Sequence, residues 1–129
     1  MNIQDAARLC SLPRKTIRYY EDVGLVTPGR RGNGYREFDR SDIVRLSFIA
    51  RARGLGFSME DVRGLLRLQD NPVRRSAEVK ALAKSQLAKL EHKLSEISKM
   101  REELQDLFDA CLGDEGASCA ILDGLAQTK

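Results

Sequence analysis

Between Ser76 and Ala110 the chain carries Ala83, Leu87, Leu90, Leu94, Ile97, Leu104 and Phe108 at alternating steps of four and three, with Arg101 the one polar residue to fall in the series. That spacing is the heptad signature of a coiled-coil seam, narrower than the apolar face of a helix buried in a globular core. It predicts one helix over 76–110, about three times the mean length in globular proteins. A stripe this narrow needs a second helix to cover it, and no other helical stretch of the sequence is long enough. The simplest occupant is a second copy of the chain, so Leu87, Leu90, Leu94, Ile97, Leu104 and Phe108 are the expected interface of a homodimer. Arg101 would fix the register or reach an acid of the partner; an intramolecular packing face is the competing reading.

Composition points the same way. The 129 residues suffice for about one domain, but 32% are charged and only 42% hydrophobic, which leaves a small core. Oligomerisation supplies the burial such a chain lacks. No apolar run approaches the roughly 18 residues of a membrane span, and the opening "MNIQDAARLC" lacks the basic-then-apolar layout of a signal peptide. A cytoplasmic protein without membrane contact is expected. Charge is uneven: residues 1–69 hold 13 Lys/Arg against 8 Asp/Glu, net +5, and residues 70–129 hold 9 against 11, net −2. The N-terminal half is the candidate anion binder, although a net charge of this size does not by itself separate nucleic-acid binding from solubility.

That half reads as a series of short elements. Asn2, with Asp5 three residues on, announces a helix with Ile3, Ala6, Ala7 and Cys10 on one face. "SLP" breaks it, and Pro13, suited to a first helical turn, opens "PRKTIRYYEDVG" with Ile17 and Tyr20 inward and Gly24 as its stop. Two short helices joined by a tight turn read as helix-turn-helix. "LVTPGRRGNGYREFD" carries Pro28, Gly29, Gly32 and Asn33-Gly34 between β-prone ends, which predicts a hairpin, here a basic wing. Asp39 can cap a third helix through Ile43, Leu46, Ile49 and Ala50 that ends at Gly54 and Gly56. Ser58 with Asp61 resembles a capping box for a fourth. "DNPVRR" then interrupts the pattern before the long helix.

In the second helix, Arg14, Lys15 and Arg18 lie on the polar face beside Tyr19 and Tyr20, and such a helix seated in a major groove places base-reading and phosphate-bonding groups together. The hairpin adds Arg30, Arg31, Tyr35 and Arg36, whose donors suit phosphate oxygens. A merely solvated basic surface would have the same composition. The order of helix-turn-helix, basic wing, two helices and long dimer helix favours DNA.

Cys111 and Cys119 bracket "CLGDEGASC" just past the long helix. In a reducing compartment a lasting disulfide is disfavoured, and closely spaced cysteines more often mean metal or redox chemistry. Two sulfurs do not satisfy structural zinc, which takes four ligands; soft thiolates do suit Cu(I) and its heavier congeners, which accept low coordination numbers. His92 falls off the seam and reads as a surface residue, and Cys10 reads as a small core hydrophobe. Two other functions stay open on these residues: a thiol-redox sensor that closes a reversible Cys111–Cys119 disulfide, and a cytosolic copper carrier docking an acidic partner through its basic surface. A carrier needs neither wing nor long helix. No paired carboxylates or Cys/His couple stand at workable spacing, so an enzyme is not expected.

Together, "IRYYEDVGLVTP", "NGYREF", "LSFIARARGLGFSMEDV", the long helix and the terminal cysteine loop resemble the MerR family of transcriptional regulators over nearly the whole chain. The resemblance implies a mainly α fold: a winged helix-turn-helix DNA-binding domain over 1–70, a linker at 71–75, a long antiparallel coiled-coil dimerisation helix over 76–110, and a metal-binding loop with a short C-terminal helix over 111–129. It implies Lys15, Arg18, Tyr19, Arg31, Tyr35 and Arg36 as contacts to double-stranded promoter DNA, with Tyr20 in the core. It also implies a mechanism: the dimer sits on an overlong promoter spacer and, with metal bound, untwists and bends the DNA so that RNA polymerase engages both promoter elements. The cysteine spacing and "RRSAEVK" are similar to the copper-efflux regulators that respond to Cu(I), Ag(I) and Au(I). In those relatives a Ser at the position of Ser76 accompanies monovalent ions and a Cys there accompanies divalent ones. Lys80, one turn on, and the start of the short helix after Cys119 would offset the net −1 left by two thiolates and one monovalent ion. Pro13 stands where many relatives carry a Ser or Thr cap, and "LAQTK" has no counterpart of the Cys/His-rich tail found in many of this subgroup.

Overall fold

The computed structural model describes residues 1–127, so the last two residues of the segment expected at 111–129 lie outside the described residues. The chain forms two compact units, Met1–Leu82 and Ala83–Lys129. The first contains α1 (Ile3–Cys10), α2 (Arg14–Asp22), β1 (Gly29–Arg30), β2 (Arg36–Glu37), α3 (Arg40–Gly54), α4 (Met59–Asp70) and the first turns of α5 (Ser76–Ala110); the rest of α5 and α6 (Ala120–Ala126) belong to the second.

Local chemistry sets these boundaries. The Asn2 side chain accepts from the Asp5 amide at 2.9 Å, and α1 ends where Ser11 turns left-handed at φ 54°. Asp39 and Asp42 form a reciprocal capping box that starts α3, and Ser58 accepts from the Asp61 amide to start α4. One boundary differs from the sequence reading. Pro13 is the residue before α2, not part of its first turn, with extended backbone at ψ 145°. Its carbonyl still accepts from Thr16 and Ile17 at 3.0 and 3.2 Å. Proline brings no side-chain oxygen to such a position, so α2 starts without a side-chain cap.

The core of the first unit gathers one face from each element: Ala6 from α1, Ile17 and Tyr20 from α2, Leu25 and Val26 from the chain leading to the wing, Phe38 after it, Leu46 and Ile49 from α3, and Val62 and Leu66 from α4. The wing is an antiparallel hairpin with Gly29 opposite Glu37 and Arg30 opposite Arg36. Gly34 donates to the Arg31 carbonyl, and Arg31 to the Tyr35 carbonyl at 2.8 Å. Gly34 alone of the loop has positive φ, at 83°, as in a three-residue hairpin loop whose last position must be left-handed.

The second unit buries little of its own apolar surface. Leu87, Leu90, Leu94, Ile97, Leu104 and Phe108 are all exposed along α5, with Leu94 at 64% and Phe108 at 65%. No helix among the described residues is long and apolar enough to cross a membrane.

Ile17 has no exposed surface and belongs to the helix that carries Lys15 and Arg18. Ile17→Ala should cost about 2–5 kcal/mol through lost burial and an unfilled cavity. Urea unfolding at one fixed protein concentration should show a lower midpoint with an unchanged slope.

Candidate nucleic-acid interface and candidate metal centre

On α2, burial of Ile17 and Tyr20 turns the opposite face outward, and Lys15, Arg18 and Tyr19 stand exposed together at spacings of three and four. The helix is pinned at its far end. Arg63 of α4 donates to the Val23 carbonyl at 2.6 Å, and Arg45 of α3 donates to the Leu25 carbonyl. Between them Gly24 turns the chain toward the wing at φ 79°. Two arginines on the supporting helices therefore fix the direction in which α2 hands over to the hairpin.

The wing's cations are not equivalent. Arg31 and Tyr35 stand exposed at its tip, and Arg31 pairs with Glu37 across the hairpin. The Glu37 carboxyl lies below its ordinary pKa because the Met1 ammonium, 2.9 Å away, and then Arg31 hydrogen-bond to it. Arg30 and Arg36, which the sequence offers as further phosphate donors, both turn back to Glu21 of α2. Arg30 reaches Oε2 at 2.6 Å and Arg36 meets Oε1. The Glu21 side chain is only 15% exposed, against 43% for Glu37. Sequence reasoning missed Glu21, yet there was a signal: it falls one turn after Ile17 on the inward side of α2, an unusual place for an acid unless a cation meets it.

At the other site the cysteines stand at the two mouths of a short loop. Cys111 follows the last residue of α5 and donates its amide to the Leu107 carbonyl at 3.2 Å; Cys119 immediately precedes α6. Gly113, at φ 64°, and an Asp114 side chain accepting from the Gly116 amide at 2.9 Å fold the loop back. The two sulfurs come to 3.8 Å of each other, unbonded and half-buried. At a metal–sulfur distance of roughly 2.3 Å, both can reach one ion. The Cys119 thiol sits below its ordinary pKa. Its largest cause is the Leu122 amide at the start of α6, joined by Cys111 and the Ile121 amide and opposed by burial and by Asp123. No capping hydrogen bond forms, so these amides act as oriented dipoles that favour the thiolate.

Helix α6 closes the site through a close approach. A Cβ on Gly124 would overlap Leu107 Cδ2 of α5, so the lack of a side chain there lets α6 settle on the end of the long helix. Phe108, Leu112 and Ile121 line the cleft beside Cys111. Among the described residues no group of three or more His, Cys, Asp or Glu side chains could hold a metal ion. His92 is exposed and pairs with Glu96 at 2.8 Å. Cys10 is buried in the first unit near the Ile43 carbonyl and the Ser47 hydroxyl. Ser76 and Lys80 are exposed on the opening turns of α5, within the first unit.

A helix-turn-helix with a basic wing, followed by a long helix with an uncovered heptad stripe, defines a DNA-binding regulator. The family description "MerR HTH family regulatory protein" matches residues 1–69 and "MerR, DNA binding" matches residues 43–107, and the chain belongs to the MerR family of transcriptional regulators. It is 44% identical to a probable heavy metal-dependent transcriptional regulator of Haemophilus influenzae, over 97% of this chain and 98% of that one. It is 42% identical to the regulator CueR of Yersinia pestis, over 98% and 91%. The fold is similar to the crystal structure of PbrR691 from Ralstonia metallidurans CH34 in complex with lead(II), with a TM-score of 0.81 and 32% identity over 98% of this chain and 99% of that one. These relatives are regulators, not enzymes.

Gly124→Val should push α6 off Leu107 and part the two sulfurs. A trivalent arsenical, which needs two adjacent thiols, should bind the wild type at one equivalent and the variant at least tenfold more weakly, while single-thiol alkylation of both cysteines persists. Equal arsenical affinity would show that the Gly124 contact does not hold the loop closed.

Proposed function

We propose that the protein is a homodimeric transcriptional activator that responds to Cu(I), with Ag(I) and Au(I) as substitutes, through Cys111 and Cys119. The observation that carries this reading is the pair of unbonded thiols 3.8 Å apart at the end of α5. Two soft sulfurs within reach of one ion suit a monovalent d10 ion, whereas structural zinc asks for four ligands. The likeness to CueR and to a heavy metal-dependent regulator agrees with a metal signal, and the lead(II) bound by PbrR691 belongs to that protein. Ser76 is the residue we assign to exclusion of divalent ions, because it adds no soft ligand, and Lys80 is the cation we assign to the residual negative charge.

In this reading residues 1–70 form the DNA-binding domain, 71–75 the linker, 76–110 the dimerisation helix and 111–129 the sensor segment. Lys15, Arg18 and Tyr19 enter the major groove, and Arg31 and Tyr35 hold phosphates from the wing. Arg36 serves the same face indirectly through its pairing with Glu21. Cys111 and Cys119 would hold the ion, which would supply a cross-link and a positive charge between the end of α5 and the start of α6. The dimer then distorts an overlong promoter spacer so that RNA polymerase engages both elements, the energy coming from dimer contacts biased by metal. A thiol-redox sensor is the second reading, favoured by the same sulfur spacing and by the lowered pKa of the Cys119 thiol.

Transcription from an overlong-spacer promoter should rise with Cu(I), saturating near one ion per cysteine pair, and stay at its basal level with Zn(II). Cys111→Ser or Cys119→Ser should abolish activation and leave promoter binding intact. A response to Zn(II) equal to that to Cu(I) would overturn the metal assignment, and activation by hydroperoxide without copper would move the signal to redox.

The dimer has its own test. Leu90→Lys with Ile97→Lys places four extra charges in the proposed seam of each pair. Sedimentation should give a monomer for this variant and a dimer for the wild type; an unchanged dimer would place the interface elsewhere.

A further inference from the structure

Glu21 joins the helix offered for the major groove to both strands of the wing. Its two carboxylate oxygens are taken by Arg30 from β1 and Arg36 from β2, so a single acid at the end of α2 holds the hairpin from both sides. The strands are two residues each, and an isolated ladder of that length does not hold a hairpin's orientation. We propose that Glu21 is a positioning residue for sequence discrimination: it fixes the wing against α2 and keeps Arg30 and Arg36 away from phosphates. The proposal rests on the reading that α2 and the wing contact DNA.

The exposure of the partner acid separates the wing's arginines into two kinds, for Arg30 and Arg31 are themselves 46% and 50% exposed, whereas Glu21 is 15% and Glu37 43% exposed. The Arg31–Glu37 pair is well exposed, so water and salt screen it and Arg31 leaves readily for a phosphate. The Glu21 carboxylate is mostly shielded, and it meets two guanidinium groups at once. A guanidinium freed from it would find a phosphate on any duplex, because phosphate contacts position a protein without reading sequence. Glu21 therefore lowers affinity for DNA in general and leaves discrimination to the exposed residues of α2 and the wing tip.

Salt-dependent binding of a promoter duplex and an unrelated duplex by the full-length dimer tests this. For Glu21→Gln the unrelated duplex should bind more tightly, with a log–log salt slope steeper by roughly one to two units at about 0.9 per phosphate. The promoter-to-unrelated affinity ratio should fall several-fold. Adding Arg30→Ala should flatten the slope more in the Glu21→Gln background than in the wild type. Glu21→Asp, which keeps the charge but shortens the reach, should shift the slope in the same direction by less and guards against a glutamine variant that does not fold. An unaltered or shallower slope in either folded variant, or an equal effect of Arg30→Ala in the two backgrounds, would overturn the proposal. Arg18→Ala, assayed alongside, should flatten the slope by about one unit; no change there would sink the DNA face itself, whereas the expected change with an inert Glu21 would sink only the positioning role.

Discussion

The apolar stripe of α5 is the constraint on which the rest depends. Leu87, Leu90, Leu94, Ile97, Leu104 and Phe108 stand in water on a 35-residue helix that the described chain leaves uncovered. Helices in globular proteins owe most of their stability to a packed face rather than to intrinsic propensity. A helix this long with a seam this narrow therefore needs an outside partner, and the heptad spacing says that the partner is another helix of comparable length. Once two chains are joined, each contributes one helix-turn-helix and one cysteine loop, and the short elements at either end acquire a reason to exist in pairs.

Within the first unit, carboxylates decide which arginines are available. Composition counts Arg30, Arg31 and Arg36 as three equal positive charges on a wing. Geometry commits two of them to Glu21 and leaves the third in an exposed pair with Glu37. The basic character of the surface then rests on Arg14, Lys15, Arg18 and Arg31, fewer residues than the sequence advertises. A regulator that must leave the wrong DNA as readily as it finds the right one gains from this economy, since excess phosphate attraction raises affinity everywhere.

What was legible in the sequence follows from the range of each interaction. Helix starts at Asn2, Asp39 and Ser58 were visible because a cap acts over three residues, and the α5 seam because its period repeats along 35. The outward set on α2 followed from burying Ile17 and Tyr20. The Glu21 clamp was not read, because it joins residues 9 and 15 positions apart through a hairpin whose orientation no local rule sets. Pro13 was placed one residue too far into α2, an error within the usual uncertainty of helix ends. In the sensor segment the cysteine spacing was plain, whereas the close approach of α6 to α5, where Gly124 faces Leu107, is a tertiary contact that spacing does not encode.

The strength of these contacts bears on switching. The core around Ile17, Phe38, Leu46 and Val62 is held by many buried neighbours and has one arrangement. The wing and the cysteine loop are held by less: a two-residue ladder and the carboxylates of Glu21 and Glu37 in the first case, the Asp114 turn and a close helix approach at Gly124 in the second. Coupling between a ligand and a distant site typically amounts to about 1–3 kcal/mol. An ion or a duplex can shift an element held by a few surface contacts with energy on that scale, but not one embedded in the core. In the function proposed above, the places where ligand meets protein are thus the places where the chain is most lightly fixed, and a substitution that stiffens them is expected to cost response before it costs stability.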